Sequence, residues 1–167
     1  MADAPALVLI GAPGAGKTRI GKRVARLLDL PFVDTDKRVV ALHGGIPDIF
    51  EQYGEPHFRV LEREQVARAL TEKAVVALGG GAVLDEGTQA DLAPLKVVQL
   101  TVRPESIATR NIGAGRPLLS GGLDAWKALV AVRAPIYDRL STVSFDTSSL
   151  PAERIADDIV RWLEETP

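Results

Sequence analysis

The feature that most limits what this chain can fold into is the segment at residues 11–18, which reads GAPGAGKT. It follows a short apolar run at residues 6–10 and precedes a segment in which Ile20, Val24 and Leu28 recur at helical spacing. A buried strand, a glycine-rich turn and a helix in this order are the context that a phosphate-binding loop requires. The glycines permit backbone angles that are closed to other residues, so that successive N–H groups can surround a phosphate.

Two side chains at the end of this segment indicate a nucleotide as the ligand. Lys17 would place its ammonium group on the β- and γ-phosphates, and the Thr18 hydroxyl would bind Mg²⁺. Backbone N–H groups of Gly14, Ala15 and Gly16 would surround the phosphates. The alternative is a glycine turn with a solvated lysine, but every fixed position of the loop is matched and both flanking segments fit.

Composition narrows the class of protein. We expect residues 1–167 to form a single domain, because this length suffices for one substantial core. The net charge of −2 argues against a broad cationic surface for nucleic acid. The lack of cysteine excludes disulfides and fits a reducing compartment. No apolar stretch approaches the roughly 20 residues of a membrane helix, and no coiled-coil heptads are evident. We therefore expect a cytoplasmic monomer without nucleic-acid or membrane partners.

Apolar runs alternate with amphipathic segments along the chain. We expect strands at residues 6–10, 32–33, 74–78, 96–102 and 142–145. We expect helices at residues 17–28, 37–42, 56–72, 85–92, 123–140 and 151–165, and a further helix that begins at Pro104 and carries Arg110. Pro135 is expected to bend or interrupt its helix and thereby turn Arg133 towards a cleft. The alternation predicts a three-layer α/β domain with a five-stranded parallel sheet.

Two aspartates follow the second expected strand. Asp34 and Asp36 are two residues apart, so an extended backbone would send both to the same side, beside the phosphate-binding loop. Carboxylates are ligands that Mg²⁺ prefers, and Asp34 suits that role through a water molecule. Asp36 would then reach a substrate hydroxyl. The alternative for one of the carboxylates is structural, with Thr35 or Asp36 capping the next helix.

Three further features allow both a structural and a functional interpretation. Arg59 and Glu62 are neighbours on one helix face, and their spacing alone favours a surface ion pair over an arginine held for an anionic substrate group. The glycines at residues 79–81 indicate either a flexible turn or backbone close to a ligand. The glycine-rich segment 111–122 is long enough for a mobile lid, in which Arg116 either contacts the transferring phosphoryl group or is solvated.

Several motifs occur in one order along the chain. They are GAPGAGKT at 11–18, DTD at 34–36, GEPHFR at 54–59 followed by Glu62, LGGGAV at 78–83, RPLL at 116–119 and RAPIY at 133–137. In this order and spacing they resemble the shikimate kinase family over nearly the whole chain. The phosphate-binding loop is shared by many nucleotide-binding proteins, but the combination is far more restrictive. The resemblance implies a P-loop kinase fold with a substrate-binding helical insertion at about residues 34–61 and a lid at about 111–122.

The resemblance also implies a role for each matching position. The positions that match substrate-binding residues are Asp36, Arg59, Glu62, Gly80, Gly81 and Arg133, with the two arginines on the carboxylate of shikimate and Glu62 orienting Arg59. The positions that match ATP-binding residues are Gly14, Ala15, Gly16, Lys17, Thr18, Arg19, Arg110, Arg116 and Ser148. The magnesium ligands would be Thr18 and, through water, Asp34. The catalytic residues would be Lys17, Asp36 and Arg116. Many members of the family carry a small polar or apolar residue at the position of Arg19.

The activity that the resemblance implies is ATP- and Mg²⁺-dependent phosphorylation of the 3-hydroxyl of shikimate. A related small-molecule kinase, acting on gluconate or a nucleoside monophosphate, would share the core but should lack the DTD, FR and GGG motifs. A catalytically silent nucleotide-binding or interaction protein on the same fold normally lacks a key residue, and none is missing from this sequence.

Overall fold

The computed structural model describes residues 3–110 and 121–167. The strands are β1 (Leu7–Gly11), β2 (Phe32–Asp34), β3 (Val75–Ala77), β4 (Val97–Thr101) and β5 (Val143–Asp146). The helices are α1 (Lys17–Leu28), α2 (Thr35–His43), α3 (Ile46–Tyr53), α4 (Glu55–Ala69), α5 (Glu86–Leu92), α6 (Pro104–Ile107), α7 (Leu123–Leu140) and α8 (Ala152–Glu165). A 3₁₀ turn at Ala82–Leu84 precedes α5. In the described part of the chain, none of the helices has the length and apolar character needed to cross a bilayer.

The five strands form one parallel sheet in the order β2-β3-β1-β4-β5. β1 lies at the centre, where Leu7 pairs with Val75 of β3 and Val8 pairs with Val97 of β4. Because all the strands run in the same direction, their carboxyl ends meet at one edge of the sheet. The loops that follow β1, β2 and β3 therefore lie side by side at that edge.

The alternation of side chains along β1 divides them between two cores. Leu7 and Leu9 belong to a core that includes residues of α1 and α8, whereas Val8 and Ile10 belong to a core completed by α4, α5 and α7. All of β1 is buried, as is typical of the central strand of a parallel sheet. Helices cover both faces of the sheet, so the expected three-layer α/β fold is confirmed.

A smaller apolar cluster joins α2, α3 and the first half of α4. Val39, Ile49, Phe58 and Leu61 form its buried centre. The segment at about residues 34–61 is therefore a helical unit that follows β2, as expected for an insertion. That this unit binds a substrate remains a prediction.

The helix α2 begins two residues earlier than expected. Thr35 and Asp36 already lie in the helix, and Asp34 caps it by accepting a hydrogen bond on Oδ1 from the backbone N–H of Lys37 at 3.2 Å. The expectation that Thr35 or Asp36 provides the cap is wrong. The backbone is extended at Asp34 but helical at Asp36, so the extended backbone expected across both residues is not found. Both side chains nevertheless lie on the same side, where they line one cavity with Lys17.

Two other helices differ from expectation. α6 ends at Ile107, so Arg110 lies beyond it, in a turn in which the Arg110 backbone N–H donates to the Ile107 carbonyl at 2.9 Å. α7 contains Pro135 but continues as one helix from Leu123 to Leu140, so the expected interruption is not found. Proline removes one backbone hydrogen bond, and buried side chains of α7 on both sides of it hold the helix in place.

Candidate active site

A cavity of about 650 Å³ opens at the carboxyl edge of the sheet. Its walls come from the β1–α1 loop, the start of α2, the glycines after β3, and the helices α3, α4 and α7. The predicted site residues that line it are Gly14, Gly16, Lys17, Thr18, Arg19, Asp34, Asp36, Arg59, Glu62, Gly80, Gly81 and Arg133. The structure therefore brings residues from distant parts of the chain to one cavity.

A second cavity, of about 350 Å³, shares part of the loop with the first. Gly14, Gly16 and Arg19 line both cavities, and Ala15 and Arg110 line the second. The predicted nucleotide-binding residue Ser148 lies next to Thr147, which also lines it. The Ser148 hydroxyl accepts a hydrogen bond from the backbone N–H of Arg103 at 2.8 Å. A nucleotide contact of Ser148 stays a prediction.

The β1–α1 loop is shaped to present backbone N–H groups. Gly14 and Gly16 have φ angles of 82° and 97°, in the left-handed region that side chains with a Cβ rarely adopt. Gly16 is the N-cap of α1. Among the described residues, no side chain caps this helix, and its first turn contains no acidic residue. The positive end of α1 therefore remains available to an anion in the cavity.

Three side chains from distant elements hold the carbonyl groups of this loop. Trp126 Nε1 donates to the Pro13 carbonyl at 2.8 Å, the Arg110 guanidinium to the Gly14 carbonyl at 2.5 Å, and the Thr147 hydroxyl to the Ala15 carbonyl at 2.7 Å. In a trans peptide the N–H points away from the carbonyl, so the N–H groups of Gly14 and Gly16 face away from these donors. Trp126 and Thr147 carry no local sequence signal for this role, because they act through a distant backbone.

Lys17, Thr18 and Asp34 form a polar group at the start of α1. Lys17 Nζ donates to the carbonyls of Gly11 and Ala12 at 2.7 and 3.1 Å, which keeps the ammonium group over the loop. The Thr18 hydroxyl donates to Asp34 Oδ2 at 2.8 Å. Asp34 thus caps α2 with one oxygen and contacts Thr18 with the other.

The Thr18 and Asp34 oxygens fit a magnesium ion that is held jointly with a phosphate. Both are hard oxygen donors in one cavity, and Mg²⁺ typically takes one or two such protein ligands together with water and phosphate oxygens. Within residues 3–110 and 121–167, no group of three or more His, Cys, Asp or Glu side chains is placed to hold a metal by itself. The donor set therefore suits a metal that enters with a nucleotide.

Each of the three glycines after β3 lies against a different predicted site residue. A Cβ built on Gly79 would lie 2.4 Å from Asp36 Oδ1, one on Gly80 would lie 3.1 Å from Arg133 Nη1, and one on Gly81 would lie 2.5 Å from both terminal nitrogens of Arg59. The glycines leave the space that these three side chains use. Of the two interpretations of this segment, close approach accounts for the glycines and a flexible turn does not.

Two carboxylates of α4 hold Arg59. Its Nη1 donates to Glu62 Oε1 at 2.9 Å, and its Nε and Nη2 donate to Glu55 Oε2 at 3.3 and 3.0 Å. The Glu62 side chain is only 5% exposed and lines the cavity, so the surface ion pair favoured by spacing alone is wrong. No role for Glu55 follows from the sequence, although the GEPHFR motif contains this residue.

The carboxyl of Glu62 has a raised pKa. Burial raises the pKa of its carboxyl to about 7, although Arg59 lowers the pKa through its charge and its hydrogen bond. The Asp36 carboxylate raises this pKa further, and Arg133 lowers it. The charge on Glu62 therefore changes near neutral pH.

Arg133 brings a second guanidinium into the cavity from α7. It is 4% exposed, and its buried Nε makes no hydrogen bond with any described residue. One turn further along α7, the Tyr137 hydroxyl donates to the Gly80 carbonyl at 2.6 Å, and burial raises the pKa of this phenol, which keeps it protonated. A buried guanidinium is costly unless an anion pairs with it. Arg59 already pairs with Glu55 and Glu62, whereas Arg133 Nε makes no hydrogen bond with a described residue, so Arg133 favours a small ligand that carries an anionic group such as a carboxylate.

Comparison with known proteins identifies the family. The family model for shikimate kinase matches residues 13–164. A curated shikimate kinase from Thermobifida fusca (strain YX) is 46% identical over 167 residues, covering 98% of this chain and 97% of that protein. The chain belongs to the shikimate kinase family. A further shikimate kinase, from Salinispora tropica, is 44% identical over 164 residues, covering 96% of this chain and 98% of that protein.

Solved shikimate kinase structures share the fold. Shikimate kinase from Acinetobacter baumannii in complex with shikimate superposes with a TM-score of 0.90 at 30% identity, covering 98% of this chain and 94% of that one. Shikimate kinase from Aquifex aeolicus superposes with a TM-score of 0.81 at 31% identity, covering 95% of each chain. A gluconokinase from Sinorhizobium meliloti superposes with a TM-score of 0.63 at 17% identity. That last likeness reflects the common fold alone.

Arg116 is the one predicted catalytic residue of this shikimate kinase family member whose position the structure does not describe. Arg116 and residues 111–120, which make up most of the expected lid at 111–122, lie outside the described residues. Apart from Ser148, the other predicted site residues all line one of the two cavities. Their individual roles stay predictions.

Proposed function

We propose that this protein transfers the γ-phosphoryl group of ATP to the 3-hydroxyl of shikimate, giving shikimate 3-phosphate and ADP in aromatic amino acid biosynthesis. The observation that carries the proposal is that Arg59 and Arg133 face the cavity that also contains Lys17 and the phosphate-binding loop. Two guanidiniums suit a small carboxylate, and the loop suits a polyphosphate. The names of the relatives and the shikimate complex of the Acinetobacter baumannii enzyme support the same acceptor.

We propose that the acceptor is held at its two ends. Arg59 and Arg133 bind its carboxylate, because a guanidinium pairs with a carboxylate through two parallel hydrogen bonds. Asp36 and the backbone of Gly80 and Gly81 bind its ring hydroxyls. These groups surround the part of the cavity between α4 and α7. The bound ring would then present one hydroxyl towards Lys17.

We propose that the nucleotide extends across both cavities. The backbone of Gly14, Ala15 and Gly16 binds its phosphates, while Arg19, Arg110 and Ser148 lie towards the rest of the nucleotide. Thr18 would hold Mg²⁺, and Asp34 would hold a water molecule of its shell. When bound, the metal ion neutralises charge on the phosphates.

Phosphoryl transfer passes through a loose transition state, so the protein mainly positions groups and neutralises charge. Lys17 stabilises the charge that develops on the β- and γ-phosphate oxygens. Asp36 orients the attacking hydroxyl and accepts its proton as the bond to phosphorus forms. Water must be kept away from the transferring phosphoryl group, because it would otherwise compete as the acceptor.

A coupled ADP-release assay tests the proposal. With ATP and Mg²⁺ present, we expect ADP release to require shikimate. Gluconate and nucleoside monophosphates, offered at the same concentrations, should give no release above background. Turnover with one of those acceptors and not with shikimate would overturn the proposal in favour of a related kinase. Tight ATP binding without turnover on any acceptor would instead favour a silent nucleotide-binding protein.

We also propose that the enzyme acts as a cytoplasmic monomer. Apart from Arg116 and Ser148, the proposed acceptor and nucleotide residues of one chain line the two cavities, which supports catalysis without a partner copy. The cytoplasm supplies the ATP that the reaction consumes. Light scattering of the purified protein and cell fractionation would test these two proposals separately.

A further inference from the structure

The hydrogen bonds of Arg59 follow a pattern that its role in carboxylate binding does not by itself require. Its helix places Glu55 four residues before it and Glu62 three residues after it, so both carboxylates lie on the same helix face. Glu62 accepts from Nη1, and a single oxygen of Glu55 accepts from both Nε and Nη2. All three guanidinium nitrogens are thereby tied to α4.

The arrangement leaves some N–H donors of Arg59 available to a ligand. A guanidinium carries five N–H donors, one on Nε and two on each terminal nitrogen. The two glutamates use three of these donors, one on each nitrogen. One N–H on Nη1 and one on Nη2 remain, and a carboxylate binds such a pair in a bidentate manner when the two N–H groups face each other.

The two glutamates hold Arg59 from different sides. Glu62 is buried and lines the cavity. The Glu55 side chain is 42% exposed. It is not among the described residues that line the cavity. Glu55 therefore acts on Arg59 from outside the cavity, where it does not occupy the place of a ligand. Its position in the first turn of α4 also suits a negative charge.

We propose that Glu55 is a positioning residue for the carboxylate end of the acceptor site. Glu62 alone fixes one terminal nitrogen and leaves the guanidinium plane able to rotate. Glu55 fixes the other edge, so that the remaining N–H pair faces a carboxylate in the cavity. The inference rests on the proposed function, in which that carboxylate belongs to shikimate.

The test compares Glu55→Gln with Glu64→Gln, an exposed residue of the same helix, as the matched control. Glutamine keeps the size of the side chain but removes the charge. For Glu55→Gln we expect the KM for shikimate to rise about fivefold, the size expected for losing a half-exposed charge pair. The KM for ATP and the melting temperature should stay close to those of the unmodified protein, and Glu64→Gln should change none of these values.

A neutral analogue and a double-mutant cycle separate positioning from a merely structural role. With shikimate methyl ester as the acceptor, Glu55→Gln and the unmodified protein should have the same KM, because no carboxylate is bound. In the Arg59→Lys background, Glu55→Gln should have no further effect on the KM for shikimate.

The outcomes distinguish this inference from the proposed function. If the unmodified protein phosphorylates shikimate and Glu55→Gln matches Glu64→Gln, the inference is wrong and the function stands. An equal rise in KM for shikimate and its ester would also overturn it, by showing a general disturbance of the cavity. Failure of the unmodified protein to phosphorylate shikimate would overturn the proposed function and this inference with it.

Discussion

A side chain at residue 79, 80 or 81 would enter the space that Asp36, Arg133 or Arg59 occupies. Three consecutive glycines are conformationally expensive in the unfolded-to-folded transition, since glycine loses more backbone freedom than any other residue. In return, the glycines let the backbone lie close to three charged side chains that come from α2, α4 and α7. At two of the three positions a single methyl group is expected to displace one functional group.

We predict different kinetic defects for Gly79→Ala and Gly81→Ala. The Cβ of Gly81→Ala would displace the Arg59 guanidinium, so we expect the KM for shikimate to rise about tenfold or more. The Cβ of Gly79→Ala would displace the Asp36 carboxylate, so we expect kcat to fall about 100-fold. Steady-state kinetics measure both effects.

Gly45→Ala is the control for these variants. The nearest atom to a Cβ at Gly45 would be 3.4 Å away, so we expect nearly unchanged kinetics. Equal kinetic constants for Gly79→Ala and Gly81→Ala would show that the two glycines do not make room for separate side chains.

The buried carboxyl of Glu62 links stability to pH. Because its folded pKa of about 7 lies above the ordinary value of 4.5, the folded protein binds this proton more tightly than the unfolded chain does. The free energy of unfolding should therefore fall as pH rises from about 4.5 to about 7 and then level off. Between about pH 5.5 and about pH 8 the decrease attributable to Glu62 is about 2 kcal/mol.

Urea denaturation of the ligand-free protein at these two pH values measures this effect. The groups that face Glu62 are Arg59, Asp36, Arg133 and Tyr137. Glu62→Gln should abolish the difference, whereas Glu64→Gln should retain it. An unchanged pH dependence in Glu62→Gln would show that another group is responsible.

At the scale of elements, α7 joins the two halves of the site. Near its start Trp126 donates to the Pro13 carbonyl of the phosphate-binding loop, and near its end Tyr137 donates to the Gly80 carbonyl. Arg133 lies between them and lines the cavity. One helix therefore contacts both the phosphate-binding loop and the glycines of the proposed acceptor site. Trp126 and Tyr137 lie on either side of Pro135, so α7 spans the proline between these two contacts without interruption.

We predict that substitutions at the two ends of α7 affect different substrates. Trp126→Phe should raise the KM for ATP, because the Pro13 carbonyl loses its donor and the loop is held less firmly. Tyr137→Phe should raise the KM for shikimate and lower the free energy of unfolding by about 1–3 kcal/mol, since it leaves the Gly80 carbonyl without its hydrogen bond.

Val132→Ala, at a position of α7 that is 69% exposed, is the matched control and should leave both KM values unchanged. If Trp126→Phe and Tyr137→Phe each changed both KM values equally, α7 would act as one rigid support without local effects.

At the scale of the whole molecule, the two cavities lie on the same edge of the sheet and share the phosphate-binding loop. The parallel strands bring the loops after β1, β2 and β3 together, and the helices on both faces carry charged side chains to that edge. The proposed nucleotide and acceptor sites thus lie at one edge of the same sheet but use different residues. Each site should therefore be separable by mutation.

We predict that each ligand stabilises the protein independently. At about 100 times its dissociation constant, a ligand adds about 2.7 kcal/mol to the free energy of unfolding. For a chain of this size that corresponds to a rise in Tm of about 5–10 °C. Lys17→Ala should lose the shift with ADP and nearly all turnover but keep the shift with shikimate. Arg133→Ala should show the reverse pattern of shifts and a raised KM for shikimate, which thermal unfolding and steady-state kinetics would measure.

Loss of both shifts in either variant would mean that the two sites are not separable. An unchanged KM for shikimate in Arg133→Ala would contradict the role of Arg133 in binding the acceptor carboxylate.

The sequence by itself determined the alternation of strands and helices, the phosphate-binding loop and the family motifs. These features follow from short-range rules, because the repeat of apolar residues and the spacing of glycines reflect the geometry of the local backbone. The same rules failed where a choice depended on one or two residues. Asp34 caps α2 in place of the expected Thr35 or Asp36. Of the bend or interruption expected at Pro135, the interruption is not found.

Only the tertiary structure decided which groups act on which. The burial of Glu62 and the contact of Tyr137 with Gly80 depend on how helices pack against the sheet. Burial also determines charge, as the raised pKa of Glu62 shows. Such effects arise between residues that are far apart in the chain. Their spacing in the sequence predicts neither the distance between them in space nor their exposure to solvent.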